Sequence, residues 1–177
     1  MTKTNWVVDT AHSTVEFSIR HMMISNVKGT FNEFDAVIMG DPNDLTSATI
    51  NFTIDAGSID TRKEDRDNHL KSADFFDVEN YPEITFKATD IQKKSGNNYN
   101  LTGDFSMHGV TKEVTFDTTF EGQSKGPAGN EMAGFSAKTT ISRAEFGLTW
   151  NSTLETGGVL VSDEVKINLE IQLQKES

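Results

Sequence analysis

Apolar side chains recur at every second position along almost the whole chain, and this spacing limits the possible folds more than any other feature. A period of two sends alternate side chains to opposite faces of a strand, so each such run is a strand with one face to bury. The longest run goes from Val159 through Val161, Val165, Ile167, Leu169, Ile171 and Leu173, with Lys166, Asn168, Glu170 and Gln172 between them. Val15, Phe17, Ile19 and His21 share a face of a first strand, which Trp6 to Asp9 extends backwards. Gly29 to Met39 makes a second, with Phe34, Ala36 and Ile38 in phase and Phe31 out of phase, as a bulge would leave it. Ala48, Ile50, Phe52 and Ile54 mark a third strand, and Ile84, Phe86 and Ala88 a fourth. Tyr99, Leu101, Phe105 and Met107 give the fifth, Val114, Phe116, Thr118 and Phe120 the sixth, and Phe135, Ala137, Thr139 and Ile141 the seventh. Ser95-Gly-Asn-Asn98, between the fourth and fifth, is a hairpin signal, and Gly122 to Ala133 is the most loop-like stretch.

One segment breaks the pattern. Thr61-Arg-Lys-Glu64 has the form of a capping box, which predicts a helix over Thr61 to Ala73 with few apolar residues to bury. Asp74-Phe75-Phe76-Asp77 then leads back into the fourth strand. Adjacent residues of an extended segment face opposite ways, so one of the two Phe is expected to plug something. Eight amphipathic strands with one short helical insertion make an all-β antiparallel protein, either a closed barrel or a two-sheet sandwich. Strand lengths of roughly ten residues, one polar face throughout and mostly local hairpins favour the barrel. The whole chain, residues 1–177, reads as one domain. An eight-stranded barrel is either just filled by its own side chains or holds one small ligand. Because the inward set is almost entirely aliphatic and aromatic, that ligand should be apolar.

Charge and composition remove several functional classes. With 16 Lys and Arg against 27 Asp and Glu, the formal charge is −11, which argues against nucleic acid or an anionic bilayer as the main partner. Local basic pockets remain open. The absence of Cys excludes disulfides, thiolate nucleophiles and zinc-thiolate sites. No apolar stretch approaches the ~20 residues of a spanning helix, so stable membrane insertion is not expected. The opening Met1-Thr-Lys-Thr-Asn-Trp6 does not resemble an export signal, which predicts a cytoplasmic location.

Four histidines are present, and none has the spacing of a recognisable zinc pair, so no metal site is assigned. His12 and His108 are expected to fix strand ends by hydrogen bonding. His21, in phase with Val15, Phe17 and Ile19, points inward, where a polar group could meet a ligand's oxygen. Arg66 and His69, with Arg62, Lys63 and Lys71, form a basic cluster suited to an anionic head group. The competing reading is a solvated helix whose charges pair along its own surface. No Gly-x-Ser-x-Gly, phosphate-binding loop or dinucleotide motif is present, and no catalytic residue is assigned.

The order and spacing of several motifs resemble one family, the YceI-like bacterial lipid-binding proteins. The resemblance is carried by Asp9-Thr-Ala-His12-Ser, Gly29-Thr-Phe31, Ser58-Ile-Asp60-Thr61, Arg66-Asp67-Asn-His69-Leu-Lys-Ser72, Asp74-Phe75-Phe76 and Tyr81-Pro82-Glu-Ile-Thr-Phe86. Gly103-Asp-Phe-Ser-Met-His108-Gly109-Val-Thr111, Arg143 to Gly147 and Asp163-Glu164-Val165 complete it. Where the family often has Leu-Thr-Ile-His-Gly, this chain has Phe105-Ser-Met-His108-Gly. The resemblance implies an extended lipocalin-like barrel, often dimeric, whose pore holds a polyisoprenoid, isoprenoid quinone or similar long-chain lipid. The expected function is therefore to carry or sequester such a lipid without catalysis, and no cofactor is expected apart from the lipid. Its candidate wall is Val15, Phe17, Ile19, His21, Phe34, Ile50, Phe52, Phe75, Phe76, Phe86, Phe105, Phe116, Ile141, Ile167, Leu169 and Ile171, with His21, Arg66 and His69 as head-group candidates. A small lipid- or quinone-linked enzyme and a ligand-free, stress-linked interaction module remain the alternatives.

Overall fold

Period-two runs become strands in the computed structural model, which describes residues 4–41, 44–151 and 160–176. In chain order they are β1 (Thr4–Val8), β2 (Thr14–His21), β3 (Ser25–Phe31), β4 (Phe34–Asp41), β5 (Asp44–Asp55), β6 (Ile59–Asp60), β7 (Glu83–Ser95), β8 (Asn98–Met107), β9 (Val110–Lys125), β10 (Glu131–Ser142) and β11 (Val161–Lys175). Neighbours run β1-β4-β5-β7-β8-β9-β10-β11, and β1 pairs again with β11, so eight antiparallel strands close on themselves. Closure leaves no open edge in that ring. The length of β11 lets it serve two partners. Its first part pairs with β2, as in Ile167↔Phe17 and Leu169↔Val15, and its last part pairs with β1, as in Leu173↔Val8. β3 continues this wall beside β2, and β6 pairs with β3.

The pairs β1/β2 and β3/β4 are therefore two bent strands, each interrupted once. Between β1 and β2 a 3-10 turn forms at Thr10–His12, where the Asp9 side chain accepts from the Ala11 N–H. Between β3 and β4 the chain leaves the ladder at Asn32 and Glu33. The phase change at Phe31 is thus a strand break and not a bulge: β3 faces β2 and β6, while β4 turns to β1 and β5. Bulges lie elsewhere, between Val161 and Val165 and between Gly134 and Phe135. The loop expected at Gly122 to Ala133 shrinks to residues 126–130, because β9 and β10 continue past the bulge and pair as far as Lys125↔Glu131. The expected hairpin forms with Gly96 and Asn97 as its two-residue link, Gly96 having φ of 54°. Val159 lies outside the described residues.

Helix α1 (Glu64–Lys71) packs at one end of the barrel and is shorter than expected. The capping box does not form: Lys63 occupies the N-cap position without a side-chain bond. Thr61 is instead buried ahead of the helix, where its N–H donates to Asp67 Oδ1 at 2.8 Å and its hydroxyl accepts from Arg66 Nε at 2.8 Å. Arg66 Nη2 also donates to the Thr61 carbonyl at 2.7 Å. The motif ties the helix to the end of β6 through residues of its first turn. Gly29 is required by packing, since a Cβ there would stand 2.5 Å from Cζ of Phe17. Phe17 lies across that gap and meets Phe31 at 5.5 Å between ring centres.

Candidate functional site

The inward faces of the strands do not fill the barrel. They surround a cavity of about 540 Å³, within the range of ligand-binding pockets. β2 contributes Val15, Phe17, Ile19 and His21 to its wall, β5 contributes Ile50 and Phe52, and β11 contributes Ile167 and Leu169. Phe86 of β7, Phe105 of β8, Phe116 of β9 and Ile141 of β10 complete the far side. Phe86 and Phe116 meet edge to face at 5.1 Å, which fixes both rings against the wall. A second cavity of about 110 Å³ lies towards β1, and Ile50, Phe52, Leu101 and Leu169 line both spaces. Those four side chains divide one apolar channel in two. At the β1 end stands Trp6, whose indole N–H donates to the Gly40 carbonyl at 3.2 Å.

Two candidates sit elsewhere. Phe34 lines neither cavity and stacks on Phe52 at 5.8 Å, because it begins β4 just after the break at Asn32 and Glu33. Ile171 belongs to the smaller cavity, two positions beyond Leu169 on the same face. The adjacent Phe75 and Phe76 both line the main cavity, although neighbours in an extended segment would face opposite ways. The reason is that this segment is a turn and not extended: Phe75 N–H donates to the Ser72 carbonyl and Phe76 N–H to that of Leu70.

Polar groups gather at the α1 end. Lys63 and Asp65 line the cavity and are exposed, so the cavity opens here. His21, Arg66 and His69 stand at the same mouth. The His69 ring packs edge-on against Trp150 at 4.8 Å and Phe75 at 5.1 Å, and its Nε2 lies 2.9 Å from Asp74 Oδ2. The helix is consequently both solvated on one side and part of the mouth on the other. His12 and His108 take the structural roles expected of them. His12 Nδ1 is 2.8 Å from Asp9 Oδ2, and His108 Nδ1 is 3.0 Å from the Phe146 carbonyl. Among the described residues no three His, Asp or Glu side chains converge as a metal site requires.

Two mouth residues escaped sequence reasoning. Arg143 is 5% exposed, lines the cavity, and donates to four carbonyls: Ser162 (2.8 Å), Leu148 (2.7 Å), Trp150 (2.9 Å) and Val161 (3.2 Å). Burial pulls its pKa down, and the nearby Asp163 opposes that pull. Asp163 itself is held below the usual aspartate range by the Ser142 hydroxyl and the Ala144 N–H. Arg143 was legible, since it continues the inward phase of Ala137, Thr139 and Ile141. Trp150 was not, because no periodicity extends into its loop.

Known proteins share this architecture. The YceI-like domain model matches residues 6–173. A UPF0312 protein of Staphylococcus epidermidis is 46% identical over 167 residues, covering 94% of each chain. The crystal structure of Burkholderia cenocepacia BcnA superposes with a TM-score of 0.82 at 27% identity, over 93% of this chain and 98% of that one. A polyisoprenoid binding domain from Saccharophagus degradans, implicated in plant cell wall breakdown, shares the fold with a TM-score of 0.73 at 13% identity, over 98% and 99% of the two chains. No helix among the described residues is long and apolar enough to cross a membrane. With a family model spanning nearly its whole length and a close relative matched along both chains, this protein belongs to the YceI-like family.

Proposed function

We propose that the protein binds one long-chain apolar lipid, a polyisoprenoid, isoprenoid quinone or fatty-acid derivative, and carries or sequesters it without turnover. The observation that carries this reading is the main cavity, hollow and walled chiefly by aliphatic and aromatic side chains, with Lys63, Asp65, Arg66 and His69 gathered at one mouth. Such a wall offers burial and no polar partner along most of its length, which suits a hydrocarbon chain with its polar end at the opening. Burial is worth about 0.8 kcal/mol per CH₂, so a chain of some twenty carbons gains more than ~15 kcal/mol before its entropy cost is subtracted. The tail alone is enough for tight binding, and His21, Arg66 and His69 then orient the polar end. The polyisoprenoid binding of the Saccharophagus domain supports the same ligand class.

The test is titration with a fluorescent long-chain fatty acid and displacement by an unlabelled polyprenol. Wild-type protein should bind one probe per chain and release it to the competitor. Phe52→Ser and Phe116→Ser should each weaken binding at least about tenfold, ~1.4 kcal/mol, while cooperative thermal unfolding persists. Loss of fold and of binding in equal measure would show that these rings fill a core and do not line a void.

A further inference from the structure

The turn joining β2 to β3 carries three exposed apolar residues in a row, Met22 (42% exposed), Met23 (57%) and Ile24 (76%). Met22 and Met23 have φ of 53° and 62°, and the Ile24 N–H closes the turn onto the His21 carbonyl. Two left-handed residues at these positions form the kind of turn that Asn-Gly satisfies at least cost. Here two bulky methionines occupy it instead, and the turn aims their side chains into solvent. A contiguous exposed apolar tip on a chain otherwise rich in charge marks a contact surface.

Its surroundings identify the partner. The hairpin itself, residues 17–32, contains Arg20, His21 and Lys28 and no acidic residue, in a chain whose formal charge is −11, while Asp163 and Glu164 lie across the ladder on the β11 bulge opposite Arg20. Arg20 and Lys28 are exposed on the same hairpin, and Arg20 Nη2 braces the tip through the Met23 carbonyl at 3.3 Å. The tip also stands beside the cavity mouth. His21 and Leu160 both line the cavity, and the Met22 N–H donates to the Leu160 carbonyl at 2.8 Å. An apolar tip flanked by cations is the combination that holds a protein reversibly at an anionic bilayer.

We infer that the β2–β3 hairpin docks on an anionic lipid bilayer, seating Met22, Met23 and Ile24 among the head groups so that the cavity mouth faces the membrane. Docking is local and reversible, and the rest of the molecule, being acidic, is repelled and leaves the hairpin leading. The idea rests on the proposed lipid cargo only for its purpose, since tip and charge are independent of what fills the cavity.

Flotation with vesicles of phosphatidylcholine and phosphatidylglycerol, compared with phosphatidylcholine alone, tests it. Wild-type protein should float with the anionic vesicles, less so as salt rises, and hardly at all with the neutral ones. Met22→Ser/Met23→Ser/Ile24→Ser should lower binding at least about tenfold. Met22→Asn/Met23→Gly, which suits the turn, should fold at least as well as wild type and also bind less. Undiminished flotation of both variants, absence of wild-type flotation, or a tip-dependent dimer in place of flotation would each overturn docking. The fluorescent fatty acid, titrated in parallel, separates the two readings: retained probe binding without flotation removes docking alone, and tip-dependent flotation without probe binding removes the cargo alone.

Discussion

Gly29 shows how little room the wall leaves at a single residue. In Gly29→Ala the new methyl meets the Phe17 ring at 2.5 Å, so the ring must swing into the cavity. A loss of about 1–3 kcal/mol in urea unfolding and weaker probe binding are expected together. Arg143 is the opposite case, a buried cation that satisfies four carbonyls around the mouth. Arg143→Met leaves those acceptors without their donor and should cost at least about 2 kcal/mol, with faster amide exchange near Leu148 to Trp150. Asp163 adds a pH dependence. Its folded pKa lies below the unfolded value, so its contribution is fully present above the ordinary aspartate range near ~3.9 and is lost as pH falls through the depressed value. Asp163→Asn should lower stability near neutrality and flatten the decline on acidification, read as Tm against pH. The inward phase of β10 runs on to Arg143 and is the signal that could have found it, whereas Gly29 needed its partner's ring to be located. A period says which way a side chain points and nothing about what it meets across the barrel.

At the level of elements, strand positions followed from alternation because each strand has one buried face, and burial enforces the register. The departures lie where a different interaction took over. At Thr61 the hydroxyl and amide turned to Arg66 and Asp67 and not to the helix start, so the helix begins later than its capping pattern indicates. Thr61→Val keeps the shape and removes the hydroxyl. It should destabilise by about 1 kcal/mol and raise amide exchange in α1 selectively, with faster release of the fluorescent probe if the helix borders the exit. At Phe75 and Phe76 the irregular return to the fourth strand takes the form of a turn that brings both rings to the cavity. The β2–β3 turn is the element where local cost is plainest, since a left-handed conformation costs about 1–2 kcal/mol per non-glycine residue.

For the molecule as a whole, eight strands close a barrel wide enough to stay hollow, and two residues placed by sequence on its wall, Phe34 and Ile171, fall outside the main cavity. Neither could be sorted by phase, because both do point inward: Ile171 lies at a different height along the barrel, beside the smaller cavity, whereas the Phe34 ring is stacked on Phe52 although its register partner Ile54 lines the main cavity. Height also sets the length of cargo, since Ile50, Phe52, Leu101 and Leu169 separate the two cavities. Phe52→Ala should join them and shift preference towards longer prenyl chains, measured by competition across a series of chain lengths. On this account the hollow is occupied by lipid. Mass spectrometry of an organic extract of the protein, purified without detergent from a host that makes its native lipids and compared with a mock purification, addresses this directly. One prenyl or acyl lipid per chain is the predicted result, and an extract indistinguishable from the mock would contradict it.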